Sequence, residues 1–308
     1  MTMPNFFIVG AQKAGTTSLY QYLSQHPQVY MSPRKEPHFF EGMHSEYRRP
    51  GRRSTPVSTL AEYQALFEDA SDERAIGEAS ASYLYSPRAP GLIKNTVPDA
   101  RLIAILRNPA DRAYSNYLYC VQVGREPLGS FAEALQAEEA RMRDKWGPLW
   151  YYKHKGFYYA QVKRYFDTFG RDQVGVWLYE DLRNDTFGTL REIFRFLGID
   201  EDFVPDASME YNPSGIPRAG RLYKGVRTLT AQNPALVERV LPARLRGYVK
   251  SRFLAKPPPF PPEVRRRLIY SYKEDILRLQ DLLRRNLSAW LEDTGSNNNE
   301  RYSELQKD

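Results

Sequence analysis

The sequence predicts an α/β fold in which helices flank a central parallel sheet, and three apolar runs are the first evidence for it. Residues 5–9, 101–106 and 174–178 are short and almost continuously apolar, which is typical of strands buried on both faces. Each run lies next to a stretch in which apolar residues recur at helical spacing. Because strands that alternate with helices form parallel sheets covered on both faces, we expect a layered α/β domain.

Helical patterns accompany each predicted strand. The first helix is predicted within 15–25, where apolar residues share one face. The second should begin at Asn108-Pro109, because asparagine is a good N-cap and proline suits the first helical position. Further helices are predicted at 158–169, at 186–197 and, from one apolar face, at 264–283.

The size of the chain suits one large domain. The 308 residues can bury a sizeable core, and we expect a single domain at 1–292 followed by a polar tail at 293–308. The formal charge of +7 suits a polyanionic ligand, but it does not distinguish a nucleotide from a sulfated sugar or a nucleic acid.

Cysteine content and hydropathy predict a cytoplasmic protein. Cys120 is the only cysteine, so no internal disulfide can form. The N-terminus lacks the basic and apolar segments of a signal peptide, and no run reaches the roughly 18–20 apolar residues of a membrane span. We therefore expect a reducing, cytoplasmic setting and no membrane span.

The loop between the first strand and the first helix has the composition of a phosphate site. Residues 10–17 read Gly-Ala-Gln-Lys-Ala-Gly-Thr-Thr. Glycines let backbone amides turn inward, and a helix N-terminus favours an anion. The glycine spacing matches the P-loop of nucleoside triphosphatases, yet Gly-Thr-Thr stands where Gly-Lys-Ser/Thr is needed, and Lys13 comes earlier.

The end of the second strand also differs from that of a triphosphatase. Those enzymes need Mg²⁺ on the β and γ phosphates and an acidic residue that holds it. Here the strand ends in Arg107, whose guanidinium would repel a metal. The sequence therefore predicts a site without a metal, in which side-chain cations neutralise phosphate, as suits a 5′-phosphosulfate rather than a triphosphate.

The loop resembles the 5′-phosphosulfate loop of sulfotransferases that depend on 3′-phosphoadenosine-5′-phosphosulfate (PAPS), in the variant typical of heparan sulfate N- and 3-O-sulfotransferases and their bacterial relatives. The resemblance implies a P-loop-like three-layer fold, PAPS as the donor and adenosine 3′,5′-bisphosphate (PAP) as the product. It also implies a set of donor-binding residues. These are Gly10, Gln12, Lys13, Ala14, Gly15, Thr16, Thr17 and Ser18.

A second motif, Arg-x-Pro-x-x-Arg-x-x-Ser, runs from Arg107 to Ser115. Arg107 ends a strand and Ser115 lies about two turns into the next helix, so a guanidinium and a hydroxyl can close on one phosphate from two sides. In the family this pattern resembles the 3′-phosphate site, with Arg107 and Ser115 as the contacting residues. Arg112 has a structural role there, paired with a local carboxylate.

The acceptor side is indicated by Lys-Glu-Pro-His-Phe-Phe at 35–40, which resembles the segment that carries the catalytic base in heparan-type sulfotransferases. Transfer needs a base for the acceptor proton, and the resemblance assigns that role to Glu36. His38 would point to the same side of an extended segment and orient the base or the acceptor. The alternative for Glu36 is a surface carboxylate paired with Lys35.

A rival base is Glu78. The segment Gly77-Glu-Ala-Ser-Ala-Ser-Tyr83 resembles the family's Glu-Lys-Ser/Thr-x-x-Tyr segment, but Ala79 stands where relatives have lysine. In relatives that lysine helps at the active site, so the departure leaves the acceptor open. Arg218 and Arg221 fall where relatives carry a loop that closes over PAPS, and Arg48, Arg49, Arg52 and Arg53 form a basic loop suited to an anionic acceptor or to solvent.

The sequence therefore predicts transfer of a sulfuryl group from PAPS to a hydroxyl or amine of a glycan, lipid or small molecule. Transfer would be in line, with a carboxylate base and no metal. A P-loop kinase is the alternative enzyme, although the usual Mg²⁺ ligands are missing. A nucleic-acid-binding protein is disfavoured, because the sequence has no basic stripe with interleaved aromatics and no known module.

Overall fold

A five-stranded parallel sheet forms the centre of the molecule. The computed structural model describes residues 2–41, 57–208 and 257–293, together with two short paired strands at 216–217 and 254–255. The strands of the central sheet lie in the order β2-β3-β1-β4-β5. They are β1 (Phe6–Gly10), β2 (Val29–Met31), β3 (Ala75–Ala79), β4 (Arg101–Leu106) and β5 (Val174–Leu178), and the separate antiparallel pair is β6 (Ile216–Pro217) with β7 (Leu254–Ala255).

The predicted α/β class is confirmed, and so are the three predicted strands. Every residue of β1 is buried, and in β4 only Arg101 is exposed, so helices and loops cover both faces of the sheet centre. The sequence patterns missed β2 and β3. The first is only three residues long, and the second carries Gly77 and Glu78, so neither reads as an apolar run.

The helices connect the parallel strands and cover the sheet. The predicted second helix begins at Pro109, and Asn108 caps it by accepting from the amides of Ala110 at 3.0 Å and Asp111 at 3.3 Å. The described helices are α1 (Thr16–Leu23), α2 (Leu60–Gln64), α3 (Ala89–Thr96), α4 (Pro109–Gln122), α5 (Phe131–Gln136), α6 (Glu138–Arg143), α7 (Tyr158–Phe169), α8 (Tyr179–Asn184), α9 (Thr186–Leu197) and α10 (Pro262–Leu283). All of the predicted helices are therefore present.

The long helix α10 is held against α4. The guanidinium of Arg265 donates to the carboxylate of Asp111 at 3.1 Å, and the ring of Phe260, just before α10, stacks on Tyr114 with 4.5 Å between centroids. These contacts join the last described segment to α4. The single domain over 1–292 and the tail at 293–308 stay predictions, because 42–56, most of 209–256 and all residues after Asp293 lie outside the described chain.

Within the described ranges, no helix combines the length and the apolar character needed to cross a membrane.

Candidate active site

The strand order places β1 in the middle of the sheet, with β2 and β3 on one side of it and β4 and β5 on the other. Ligands of open α/β sheets bind where the strand order reverses, at the carboxyl ends of the strands. The 10–17 loop follows β1 at this edge. Its backbone is tied to β4, because the amide of Ala11 donates to the carbonyl of Ile105 at 2.7 Å.

The loop has a tightly constrained backbone before α1. Gly15 has φ +89°, and a Cβ at this position would lie 3.0 Å from Cδ2 of Tyr179, so only glycine fits without strain. Lys13 also has a positive φ, of 73°. No side chain caps the N-terminus of α1 and its first turn has no acidic residue, so its amides favour an anion.

Arg107 lies beside this loop. Its Nη1 donates to the carbonyl of Lys13 at 3.3 Å, and its guanidinium lies 4.7 Å from the ring centroid of Tyr179. The hydroxyl of Tyr158 donates to the carbonyl of Arg107 at 3.1 Å. The end of β4 and the loop after β1 thus meet, as the two sequence motifs require.

Ser115 lies on α4 one helical turn before Tyr119. The ammonium of Lys13 lies 4.8 Å from the centroid of the Tyr119 ring, within the range of a cation–π contact. Residues four apart on a helix share a face, so Ser115 lies on the side of α4 that meets the loop. Its side chain is largely buried, at 5% relative exposure.

Arg112, the second arginine of this motif, is buried in the interior. It is 1% exposed and donates through Nη2 to the carbonyl of Tyr152. Its Nε and Nη1 have no hydrogen-bond partner in the described chain. Glu138 attracts it electrostatically, although no ion pair joins the two.

Glu36 is anchored to the end of β3, on the other side of β1. Its amide donates to the carbonyl of Ala79 at 2.9 Å, and its Oε2 accepts from the amide of Ala81 at 3.0 Å. Its Oε1 lies 2.9 Å from Nζ of Lys35. The side chain is 30% exposed, so its carboxylate is both oriented and accessible.

The segment around His38 is not extended, contrary to the sequence expectation. Glu36 and His38 have φ values of 61° and 58°. Their amides both donate to residues at the end of β3, and the amide of His38 donates to Oγ of Ser80 at 3.2 Å. The two side chains nevertheless share one side. Nε2 of His38 lies 3.8 Å from Oε2 of Glu36.

Two partners of His38 were missed by the sequence analysis. Its Nδ1 lies 3.2 Å from Oε1 of Glu41 and 3.0 Å from Oγ of Ser82. The Glu41 side chain is only 6% exposed. Glu41 lies only three residues after His38, so the sequence could have indicated this contact. Ser82 is 44 residues from His38, so the sequence could not have indicated that one.

Glu78 is fully buried, at 0% exposure. Its carboxylate accepts from the hydroxyls of Tyr83 at 2.8 Å, Tyr63 at 3.1 Å and Ser80 at 2.8 Å. Burial raises its pKa to about 7, although the three hydroxyls act in the opposite direction. The carboxylate is therefore enclosed by two tyrosines and a serine.

Lys155 is a further residue at this site that the sequence patterns did not indicate. Its ammonium donates to Oε1 of Gln12, inside the phosphate loop, at 2.5 Å. Other predicted residues fall outside the described chain. They are Arg218 and Arg221 of the closing loop and Arg48, Arg49, Arg52 and Arg53 of the basic loop. Among the described residues, no cluster of three or more His, Cys, Asp or Glu could hold a metal ion.

Comparisons with known proteins agree with the sequence motifs. The chain is 28% identical over 224 residues to the bifunctional heparan sulfate N-deacetylase/N-sulfotransferase 4 of Mus musculus, which covers 68% of this chain and 24% of that protein. It is also 28% identical over 248 residues to carbohydrate sulfotransferase 15 of Homo sapiens, covering 64% and 44% of the two chains. The chain thus spans less than half the length of these curated relatives.

A solved structure matches over nearly the whole chain. The sulfotransferase of Alicyclobacillus acidocaldarius superposes with a TM-score of 0.74 at 38% identity, covering 95% of this chain and all of that one. Residues 4–203 match the model of the Sulfotransferase family. The resemblance predicted from the sequence is therefore confirmed, and this chain belongs to the sulfotransferase family, whose enzymes take their sulfuryl group from PAPS.

Proposed function

We propose that this chain transfers a sulfuryl group from PAPS to a hydroxyl or amine of an acceptor, with Glu36 as the general base. The observation that carries the proposal is the hydrogen bond from Arg107 to the carbonyl of Lys13, at 3.3 Å. It joins the two motifs that resemble the 3′-phosphate and 5′-phosphosulfate sites. Cations and helix amides thus converge at the edge of the sheet where nucleotides bind.

The residues fit a donor that carries phosphate groups at two positions. Lys13 and the first turn of α1 would hold the 5′-phosphosulfate, with Gly10, Gln12, Ala14 and Gly15 shaping the loop. Arg107 and Ser115 would hold the 3′-phosphate. As the bond between sulfur and the bridging oxygen breaks, negative charge grows on the leaving phosphate. The Lys13 ammonium stabilises that charge more in the transition state than in the ground state.

Glu36 is the better candidate for the base, because its carboxylate is accessible and oriented whereas that of Glu78 is enclosed. The acceptor oxygen attacks sulfur while Glu36 takes the acceptor proton, so one S–O bond forms as the other breaks. His38 would orient the base or the acceptor, held in turn by Glu41 and Ser82. Glu78 would fix the tyrosines and Ser80 behind this segment.

The acceptor is proposed as a glycan, lipid or small molecule. Two relatives are named for heparan sulfate and carbohydrate, so glycans come first in a screen. A cytoplasmic setting stays part of the proposal, since the only cysteine, Cys120, is buried and free.

Ligand-induced stabilisation tests the donor and separates it from the kinase alternative. PAP at about 100 times its Kd should stabilise the fold by about 2.7 kcal/mol, while ATP with Mg²⁺ should not. In Ser115→Ala the preference for PAP over adenosine 5′-phosphate, which lacks the 3′-phosphate, should shrink. Stabilisation by ATP–Mg²⁺ but not by PAP would contradict the proposal. In a separate experiment, transfer from radiolabelled PAPS to hydroxyl and amine acceptors identifies the acceptor class.

A further inference from the structure

Lys155 is a buried lysine that reaches the donor loop from a distant part of the sequence. It lies in the short 3-10 turn His154–Gly156 and is only 7% exposed. Its Nζ donates to Oε1 of Gln12 at 2.5 Å, across 143 residues of sequence. Within the described chain this is the one hydrogen bond of the Lys155 side chain, and the side chain forms no ion pair.

The turn that carries Lys155 is held from three sides. The carboxylate of Glu138 accepts from the amides of Lys153 and the residue after it, both at 2.7 Å. The hydroxyl of Tyr272, on α10, donates to the carbonyl of Lys153 at 2.7 Å, and Nε2 of Gln161 donates to the carbonyl of Lys155 at 3.1 Å. The direction of the Lys155 side chain is therefore set by the fold.

The contact fixes which way the Gln12 amide faces. The amide oxygen of Gln12 accepts from Nζ of Lys155, so the Nε2 group of the same amide faces away from the lysine. No described residue accepts a hydrogen bond from this Nε2 group. Gln12 is half-buried and directly precedes Lys13. Two N–H donors are thus held ready in a loop built for an anion.

The electrostatics at Lys155 support a nearby negative ligand. Burial, together with the neighbouring charge of Arg112, lowers the pKa of Lys155 to about 7. Cys120, Glu138 and Glu41 act in the opposite direction. A bound anion would offset the cost of two buried cations that no described carboxylate neutralises by direct contact.

We infer that Lys155 is a positioning residue for the sulfuryl donor. It holds the Gln12 amide so that Nε2 donates to an oxygen of the 5′-phosphate, which PAPS and PAP share. The inference rests on the proposed function, in which the 10–17 loop binds PAPS.

A double-mutant cycle tests it, with PAP as the probe. Lys155→Met keeps the length of the side chain and removes its donors, and Gln12→Ala removes the amide. Each should weaken PAP binding by about tenfold to a hundredfold, the range for a hydrogen bond to a charged group. The double variant should bind PAP no more weakly than the single variant with the lower PAP affinity, because both changes remove the same contact. Lys163→Met, the same change at an exposed position of α7, should leave PAP affinity and kcat unaltered.

Gln12→Glu separates positioning from a merely structural contact, and it does not depend on Lys155→Met folding. The new carboxylate keeps and strengthens the bond to Lys155 but offers the donor no N–H. We expect a higher Tm together with weaker PAP binding and a raised KM for PAPS. The inference would be overturned by an unchanged PAP affinity in Gln12→Glu. It would also be overturned if the losses of PAP affinity in the two single variants multiplied fully in the double variant. In either case, PAP binding by the wild type leaves the proposed function standing. A wild type that binds no PAP would instead refute the proposed function itself.

Discussion

The contrast between Glu36 and Glu78 gives the sharpest test of the catalytic assignment. Replacing each by glutamine keeps the shape of the side chain and removes the proton acceptor. Because a general base is worth about 10²–10⁴-fold, Glu36→Gln should lower kcat by that factor. PAP affinity should stay at the wild-type value, since Glu36 lies on the acceptor side of β1. The exposed Glu139→Gln, on α6, serves as the matched control.

Glu78→Gln should act on stability instead. The unfolded carboxyl has a pKa of 4.5 and the folded one a pKa of about 7. The folded state therefore binds more protons between these values, and the contribution of Glu78 to stability falls as the pH rises from about 4.5 to above 7. From pH 5.5 to pH 8 this loss is about 2 kcal/mol in the wild type. Glutamine does not titrate, so the difference in unfolding free energy between wild type and Glu78→Gln should change by that amount.

Paired measurements decide between the two carboxylates. Urea unfolding at pH 5.5 and pH 8 gives the stability of each variant, and kcat with a hydroxyl acceptor and PAP affinity give its function. An inactive but stable Glu78→Gln beside an active Glu36→Gln would reverse the assignment of the base.

Three further predictions concern the donor loop and the absence of a metal. Lys13→Ala should lower kcat by about 10²–10³-fold. Lys13→Arg should recover only part of the lost rate, since a guanidinium fork does not replace a point charge. A near-normal kcat in Lys13→Ala would refute the leaving-group role. Gly15→Ala, at φ +89° and with its Cβ 3.0 Å from Tyr179, should lower the unfolding free energy by about 1–3 kcal/mol in urea titrations, and an unchanged midpoint would contradict the strain argument. EDTA should leave sulfuryl transfer intact, and activity that EDTA abolishes and Mg²⁺ restores would show that the cations named above do not suffice.

Much of the fold could be predicted because its signals are local. β1, β4 and β5 are apolar runs, and the helix after β4 begins with Asn108-Pro109, an N-cap whose bonds the structure contains. β2 and β3 could not be predicted in this way. Three residues are too few for a pattern. In β3, Gly77 leaves room for the ring of Phe6 on β1, and the buried Glu78 is stabilised by hydroxyls outside the strand, so neither residue marks a strand in the sequence.

For the candidate site, the sequence by itself determined the residue types and their order: the loop with Lys13, the arginine that ends β4, and the acidic segment at 35–40. These follow from backbone chemistry within a few residues, so they can be read along the chain. Only the tertiary structure decided which side chains meet. Gln12 contacts Lys155, which is 143 residues away in the sequence, and His38 contacts Ser82, which is 44 residues away. Glu78 is buried among hydroxyl groups. Burial and long-range pairing depend on how the whole chain packs, and no local pattern encodes them.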